Sequence, residues 1–258
     1  MPDLNVEKNS RIAMLIDGDN AQPSLLESML AETSKYGVVT IRRIYGDWTT
    51  SEMKGWKDAL NTHAVQPIQQ FRYSVGKNAT DSAMIIDAMD ILYTSGVDGF
   101  CLVSSDSDYT RLATRIREKS LFVIGIGKQL TPRAFVNACD VFVYTENITG
   151  AEPALPAATA VKKAPTPAKT PTRAKKVTAP PATTNVPKLF KRAFELAVGE
   201  DGWAGLSPLG NKLRQLDPAF DPRTYGHSQL LLFIKAHPEW FELQQQNHIH
   251  NVRLKNQK

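Results

Sequence analysis

Residues 11–146 alternate between two hydrophobic patterns. Short, continuous apolar runs are typical of strands buried on both faces, and they predict strands at 11–17, 38–45, 64–68, 99–104, 120–126 and 140–144. Between them, apolar residues recur with helical spacing and predict helices at about 23–36, 52–62, 80–95, 108–118 and 132–138. Strands that alternate with helices form a mainly parallel sheet with helices on both faces. We therefore predict an α/β domain over residues 11–146.

After residue 186 the pattern changes to short helices followed by a hairpin. Apolar residues from Leu189 to Ala197 have helical spacing and predict a first helix. The pair Ser207-Pro208 predicts the cap and first turn of a second helix, and a third is expected to begin at Ser228. Two strand-like runs follow, at 240–243 and 249–252, with a polar turn between them. This order predicts a small winged-helix domain over residues 187–256.

The segment between these two domains has the composition of a linker. Residues 151–187 contain eight prolines, many alanines and threonines, and no aromatic residue. Such a segment cannot bury enough apolar surface to offset the entropy of ordering it, so we predict a disordered, extended linker at 147–186. Residues 1–10 are polar and predict an N-terminal tail without the apolar core of a signal peptide.

Charge is divided unevenly along the chain. Residues 1–150 hold 15 Lys and Arg against 18 Asp and Glu, whereas residues 151–187 hold 6 against 1 and residues 188–258 hold 10 against 7. A basic C-terminal part beside an acidic domain is typical of a protein that holds a polyanion. The alternative interpretation is that the Lys and Arg residues of the linker only keep that segment soluble.

The remaining composition excludes some classes of protein. No stretch of about 18 apolar residues is present, so we expect no membrane span. Cys101 and Cys139 both lie in apolar runs, which predicts buried, reduced thiols and a cytoplasmic location.

Two acidic clusters, Asp17-Gly18-Asp19-Asn20 and Ser105-Asp106-Ser107-Asp108, directly follow predicted strands. Carboxylates at the carboxyl ends of parallel strands lie where open α/β sheets place their active sites. Because like charges repel, such a set favours a hard divalent cation such as Mg²⁺ or Mn²⁺. Asp108 is also suited to cap the helix that follows it, and Asp19 to shape its turn.

A third acidic residue, Asp81, is expected to join this edge of the sheet. It begins the long helix at 80–95, directly after a basic loop that contains Lys77. The apolar face that includes Met84 packs on the sheet and directs Asp81 inward, whereas Asp87 and Asp90 are expected to be solvated. Three elements would then deliver carboxylates to one place.

The segments Leu15-Ile16-Asp17-Gly18-Asp19-Asn20, Lys77-x-x-x-Asp81 and Val103-Ser104-Ser105-Asp106-Ser107-Asp108-Tyr109 resemble the NYN domain, of the LabA-like branch of the PIN-like nuclease superfamily. The resemblance covers about residues 10–146. It implies a PIN-like fold and cleavage of RNA by a metal-activated water. It also implies metal-binding carboxylates at Asp17, Asp81 and Asp106, supported by Asp108, with Asn20 as a polar residue of the site.

The C-terminal motifs Asp201-Gly202-Trp203-Ala204, Leu206-Ser207-x-Leu209-Gly210-Asn211-x-Leu213 and Phe220-Asp221-Pro222-Arg223-x-Tyr225-Gly226-His227 resemble the OST-HTH or LOTUS domain. This resemblance implies binding of RNA, single-stranded or structured, and in some members binding of a protein partner. Its candidate contacts to nucleic acid are Lys212, Arg223, Tyr225 and His227. In the N-terminal domain, cations interleaved with aromatic residues add Arg43 and Lys77, the latter in the loop before Asp81.

Two other functions are compatible with these residues. An RNA-binding regulator with a catalytically silent NYN site would keep the same motifs. The Asp17-x-Asp19 spacing also suggests a phosphatase of the haloacid dehalogenase type, although Asn20 follows where that motif has Thr or Val. A cleavage assay on RNA and an assay on a phosphate monoester separate the three.

Overall fold

The computed structural model of the chain describes residues 10–71, 79–148, 186–246 and 249–255. Most of the predicted tail and linker lies outside the described residues, as does the loop that holds Lys77. None of the described helices is long and apolar enough to cross a membrane.

Six parallel strands form the central sheet of the N-terminal domain, as predicted. In chain order they are β1 (Arg11–Asp17), β2 (Val38–Gly46), β3 (Gln66–Gln69), β4 (Gly99–Val103), β5 (Phe122–Gly127) and β6 (Val141–Tyr144). Their order across the sheet is β3-β2-β1-β4-β5-β6. The chain first adds β2 and β3 on one side of β1. It then returns to place β4 on the other side of β1 and adds β5 and β6 beyond it, so the direction in which strands are added reverses between β1 and β4. Open α/β sheets bind their ligands at the carboxyl ends of the strands that flank such a reversal.

Five helices cover the two faces of this sheet: α1 (Leu26–Thr33), α2 (Lys57–His63), α3 (Ala79–Thr94), α4 (Thr110–Glu118) and α5 (Arg133–Ala138). Alternate residues of β1 serve the two faces, because successive side chains of a strand point in opposite directions. Ala13 and Leu15 pack with residues of α3, α4 and α5, whereas Ile12, Met14 and Ile16 pack with residues of α1 and α2. The continuous apolar run in the sequence is thus explained by burial on both sides.

The C-terminal domain combines three helices with a small antiparallel sheet. Its elements are α6 (Val186–Glu195), β7 (Ala204–Gly205), α7 (Leu206–Leu216), α8 (Leu230–Ala236), β8 (Phe241–Gln246) and β9 (Ile249–Leu254). The sheet order is β7-β9-β8, and the core is built around Phe190, whose ring stacks on Phe233 at 5.2 Å between centroids.

Two predicted helix starts in this domain were wrong. Helix α7 begins at Leu206, with Gly205 at its N-cap and no side-chain cap, so Ser207 already lies inside the helix. The helix begins directly after β7, the two-residue strand that pairs with β9. The third helix begins at Leu230, two residues later than predicted.

The two domains contact each other along β6, the edge strand of the large sheet. The backbone N–H of Phe142 donates to the carbonyl of Pro218 at 2.8 Å, and Ala219 packs into the core beneath that strand. The guanidinium of Arg223 donates to both carboxylate oxygens of Glu32, each at 3.0 Å. Two further pairs cross the same boundary: Arg133 with Asp217, and Asn147 with Thr224. The C-terminal domain thereby covers an edge that would otherwise be open for pairing.

Candidate active site

The two acidic clusters lie side by side because β1 and β4 are neighbours in the sheet. Asp17 is the last residue of β1, and Ile16 is in register with Val103, the last residue of β4. Asp106 follows Val103 by three residues. The predicted juxtaposition is therefore present, at the point where the strand order reverses.

Asp17 is a buried carboxylate held by three donors. Its exposed fraction is 1%. One oxygen accepts from the amide of Asn20 at 2.6 Å and from the hydroxyl of Ser104 at 2.9 Å, and the other accepts from the backbone N–H of Asp19 at 3.1 Å. Burial raises the pKa of Asp17 and the charge of Asp81 adds to this, while the three hydrogen bonds oppose it. Asn20 thus positions Asp17.

Asp81, Asp106 and Asp108 form a second group, in which one oxygen of each carboxylate lies within 4.8 Å of the others. Asp81 reaches it from the first turn of α3. Its pKa is raised by burial and by the charges of Asp106 and Asp108, while the hydroxyl of Tyr109, which donates to it at 2.7 Å, lowers it. Asp17 stands beside this group and is not one of its three members.

Ser104 connects the two groups. Its hydroxyl donates to Asp17 and accepts from the backbone N–H of Asp106 at 3.1 Å. Asp106 also accepts from the N–H of Asp108 at 2.9 Å and thereby caps the 3-10 turn Ser107–Tyr109. The capping role considered for Asp108 accordingly belongs to Asp106, and the side chain of Asp108 faces the acidic group.

Sequence reasoning missed several residues that shape this edge. Ser104 and Tyr109 lie within the quoted motif without an assigned role, and Thr80 donates to Asp19 at 3.2 Å, which joins the start of α3 to the turn after β1. Asp47 is buried directly after β2 and accepts from Gln69 at 3.0 Å. Like Asp17, it follows a predicted strand of the sheet, which is the signal that could have identified it.

Two of the candidate nucleic-acid contacts are arginines that are already paired with carboxylates. On β2, Arg43 is paired with Asp87, which also accepts from the hydroxyl of Tyr45, so Asp87 is not solvated as expected. Arg223 is held by Asp221 and by Glu32 of the other domain.

Three further candidates belong to the C-terminal domain. The rings of Tyr225 and His227 pack against Phe233, at 5.6 and 5.4 Å between centroids. Lys212 donates to Gln215 at 3.1 Å, one helical turn away. Lys77 lies outside the described residues.

The donor set suits a hard divalent cation. The acidic group offers only carboxylate oxygens, which are the ligands that Mg²⁺ and Mn²⁺ prefer. Three carboxylates in this small space repel one another, and the raised pKa of Asp81 reflects that repulsion together with burial. A bound cation would offset both effects.

Family comparison supports the two-domain interpretation. A sequence model of the NYN domain matches residues 11–147, and a model of the OST-HTH/LOTUS domain matches residues 183–253. Both families, and their order along the chain, are those predicted from the motifs. The first match includes the Asp17–Asn20 segment that had suggested a phosphatase.

Solved structures give weaker likenesses. A protein of unknown function from Vibrio parahaemolyticus is 19% identical with a TM-score of 0.46, over 56% of this chain and 96% of that one. An uncharacterized protein from Nitrosomonas europaea is 25% identical with a TM-score of 0.27, over 39% of this chain and 95% of that one. A search of curated proteins found no match.

Proposed function

We propose that this chain, which belongs to the NYN domain family, is a metal-dependent ribonuclease that hydrolyses phosphodiester bonds of RNA. The observation that carries the proposal is the convergence of Asp81, Asp106 and Asp108 at the reversal of strand order, with Asp17 beside them. The OST-HTH/LOTUS domain points to RNA as the polyanion that is held. The basic balance of residues 151–258 is consistent with this choice.

In this proposal Asp81, Asp106 and Asp108 hold the cation, Mg²⁺ or Mn²⁺, and Asp17 lies beside them. We call these four carboxylates the acidic edge. When bound, such a cation activates a water molecule and neutralises the charge that develops on the phosphate. No side-chain nucleophile is then required.

The other residues of the site act on the carboxylates. Asn20 and Ser104 donate to one oxygen of Asp17 and fix its orientation. Tyr109, which is fully buried, donates to Asp81 and stabilises its charged form. Ser104 also binds the backbone at Asp106, so it holds the ends of both strands in one arrangement.

A cleavage assay on single-stranded RNA, structured RNA and DNA tests this function. We expect cutting of RNA with Mg²⁺ or Mn²⁺ and none with a chelator. Asp106→Asn and Asp17→Asn should each reduce the rate by at least about 100-fold, since each removes a charge from the acidic edge. The matched control is Asp90→Asn, because Asp90 is an exposed carboxylate on α3, the helix that carries Asp81.

The outcomes separate the alternatives. Cleavage that persists in both purified variants would refute the assigned site. RNA binding with no cleavage under any metal would favour an RNA-binding regulator with a silent site, and calorimetric titration with Mn²⁺ would then show whether the carboxylates bind a cation at all.

A further inference from the structure

A cleft lies beside the candidate active site, between α2 and the edge strand β3. Its volume is about 710 Å³. The residues that matter for its chemistry are Trp48, Met53, Lys54, Lys57, Asn61 and Gln69. We propose that this Trp48 cleft binds a nucleotide of single-stranded RNA next to the phosphodiester that is cut, a proposal that rests on the proposed function.

The cleft and the acidic edge share a wall. Met53 lines the cleft, and its terminal methyl group lies so close to the Asp17 turn that a Cβ atom at Gly18 would be 2.6 Å from it. Asp17 is in register with Tyr45, three residues before Trp48. The step from β1 to β3 is two strand spacings, roughly 10 Å. An RNA strand bound at the carboxylates would therefore reach the cleft within a short length of the strand.

Lys54 and Lys57 give the cleft a positive rim in an otherwise acidic domain. Both are exposed, and no carboxylate among the described residues pairs with either one. The acidic residues nearest in sequence, Glu52 and Asp58, do not line the cleft. Two ammonium groups at the mouth of an apolar cleft are complementary to the phosphates that flank a base.

Trp48 is held in place for stacking. Its indole N–H donates to the carbonyl of Ile68 at 2.9 Å, and its backbone N–H donates to the side chain of Gln69 at 3.0 Å. Gln69 is itself fixed by its bond to Asp47. A partly buried indole that is fixed in this way loses little entropy when a base stacks on it. Stacking on a ring requires an unpaired base, which is why we assign single-stranded RNA.

The test uses the full chain with Asp106→Asn and a fluorescent hexauridine RNA, followed by anisotropy. Trp48→Ala and the double variant Lys54→Gln/Lys57→Gln should each weaken binding by about tenfold, while Trp48→Phe retains most of the affinity. The matched control is Lys119→Gln, since Lys119 is an exposed lysine whose ammonium group lies over the ring of Tyr93, and neither residue lines the cleft. The lysine variants change surface residues, so they test the cleft even if Trp48→Ala fails to fold.

Kinetics and cross-linking complete the test. In chains with an intact acidic edge, the same substitutions should raise KM for the hexanucleotide and leave kcat within about twofold. Ultraviolet cross-linking should attach RNA to the peptide that contains Trp48. Unchanged affinity and KM in the lysine variant, with cleavage that still depends on Asp106, would refute RNA binding in the cleft and leave the proposed function intact. If the cleft variants weaken binding but the protein never cuts RNA, the proposed function is refuted and RNA binding in the cleft is supported.

Discussion

Glu32→Gln is expected to weaken the docking of the C-terminal domain on the NYN domain. Glu32 lies near the end of α1, its side chain is 6% exposed, and it accepts from Arg223 through both oxygens and from Lys35 at 2.6 Å. Burial alone would raise the pKa of Glu32, but the hydrogen bonds from Arg223 and Lys35 outweigh it and lower the pKa. The carboxylate is therefore charged at neutral pH, and Gln removes that charge with little change in shape.

The expected magnitude follows from burial and from the remaining partners. Removing one member of a fully buried ion pair costs about 3–5 kcal/mol. Arg223 is 27% exposed and keeps its bonds to Asp221 after the substitution, so a smaller loss applies. We expect docking to weaken by about 2 kcal/mol, which is roughly thirtyfold in the docking equilibrium.

Hydrogen exchange at β6 reports this equilibrium directly. The N–H of Phe142 donates to Pro218 of the other domain, so it is protected only while the domains are docked. Exchange of the peptide that contains Phe142 should accelerate by about thirtyfold in Glu32→Gln, while the peptide of β5, inside the sheet, keeps its rate. The matched control is Glu27→Gln, an exposed glutamate on the same helix.

The result that would refute this reasoning is exchange of the Phe142 peptide within about twofold of the unmodified chain. The docked arrangement would then not depend on the Arg223–Glu32 pair. Arg223→Lys should give an intermediate effect, because Lys keeps the charge and loses the two-pronged geometry.

Two further predictions concern the turn after β1. In metal-free protein, the Tm of Asp17→Asn relative to that of the unmodified chain should increase as pH rises through the folded pKa of Asp17. Burial raises that pKa, so the native carboxyl contributes stability at low pH that the unmodified chain loses on ionisation, whereas Asn does not ionise; a calorimetric pH series measures the difference. Gly18→Ala should destabilise the domain by about 1–3 kcal/mol in urea unfolding, because the new Cβ atom would lie 2.7 Å from the carbonyl oxygen of Tyr45, whereas Gly55→Ala, with only a 3.7 Å neighbour, should change little. A Tm difference between Asp17→Asn and the unmodified chain that does not change with pH, or equal effects of the two glycine variants, would contradict these explanations.

Much of the fold was predictable because the information is local. The six strands of the large sheet were predicted close to their observed bounds. In β1, β4, β5 and β6 the signal is a continuous apolar run, typical of a strand buried on both faces, whereas β2 and β3 carry polar residues and are only partly buried. Helix starts in the C-terminal domain were less accurate. At Ser207 the short strand β7 decides where the helix begins, and that strand exists only through its pairing with β9, which is distant in the chain.

The candidate site was predicted in part for the same reason. Asp17 and Asp106 lie at the same edge of the sheet because each is found at the carboxyl end of a parallel strand. Their positions in the sequence were enough to predict this. The sequence did not predict which carboxylates come within reach of one cation, because the grouping of Asp108 with Asp81 depends on the cap that Asp106 forms. Arg43 could be proposed as a nucleic-acid contact only while Asp87, 44 residues away, was not known to face it.

The sequence by itself determined the strands of the large sheet, the acidic residues that follow β1 and β4, and the family of each domain. These properties follow from periodicity and from short motifs, which involve residues near one another in the chain. Only the tertiary structure decided that β1 lies beside β4, that Met53 separates the acidic edge from the Trp48 cleft, and that Arg223 pairs with Glu32. The physical reason is that such contacts join residues from about 30 to 190 positions apart, where complementarity of shape and charge appears only once the chain has packed.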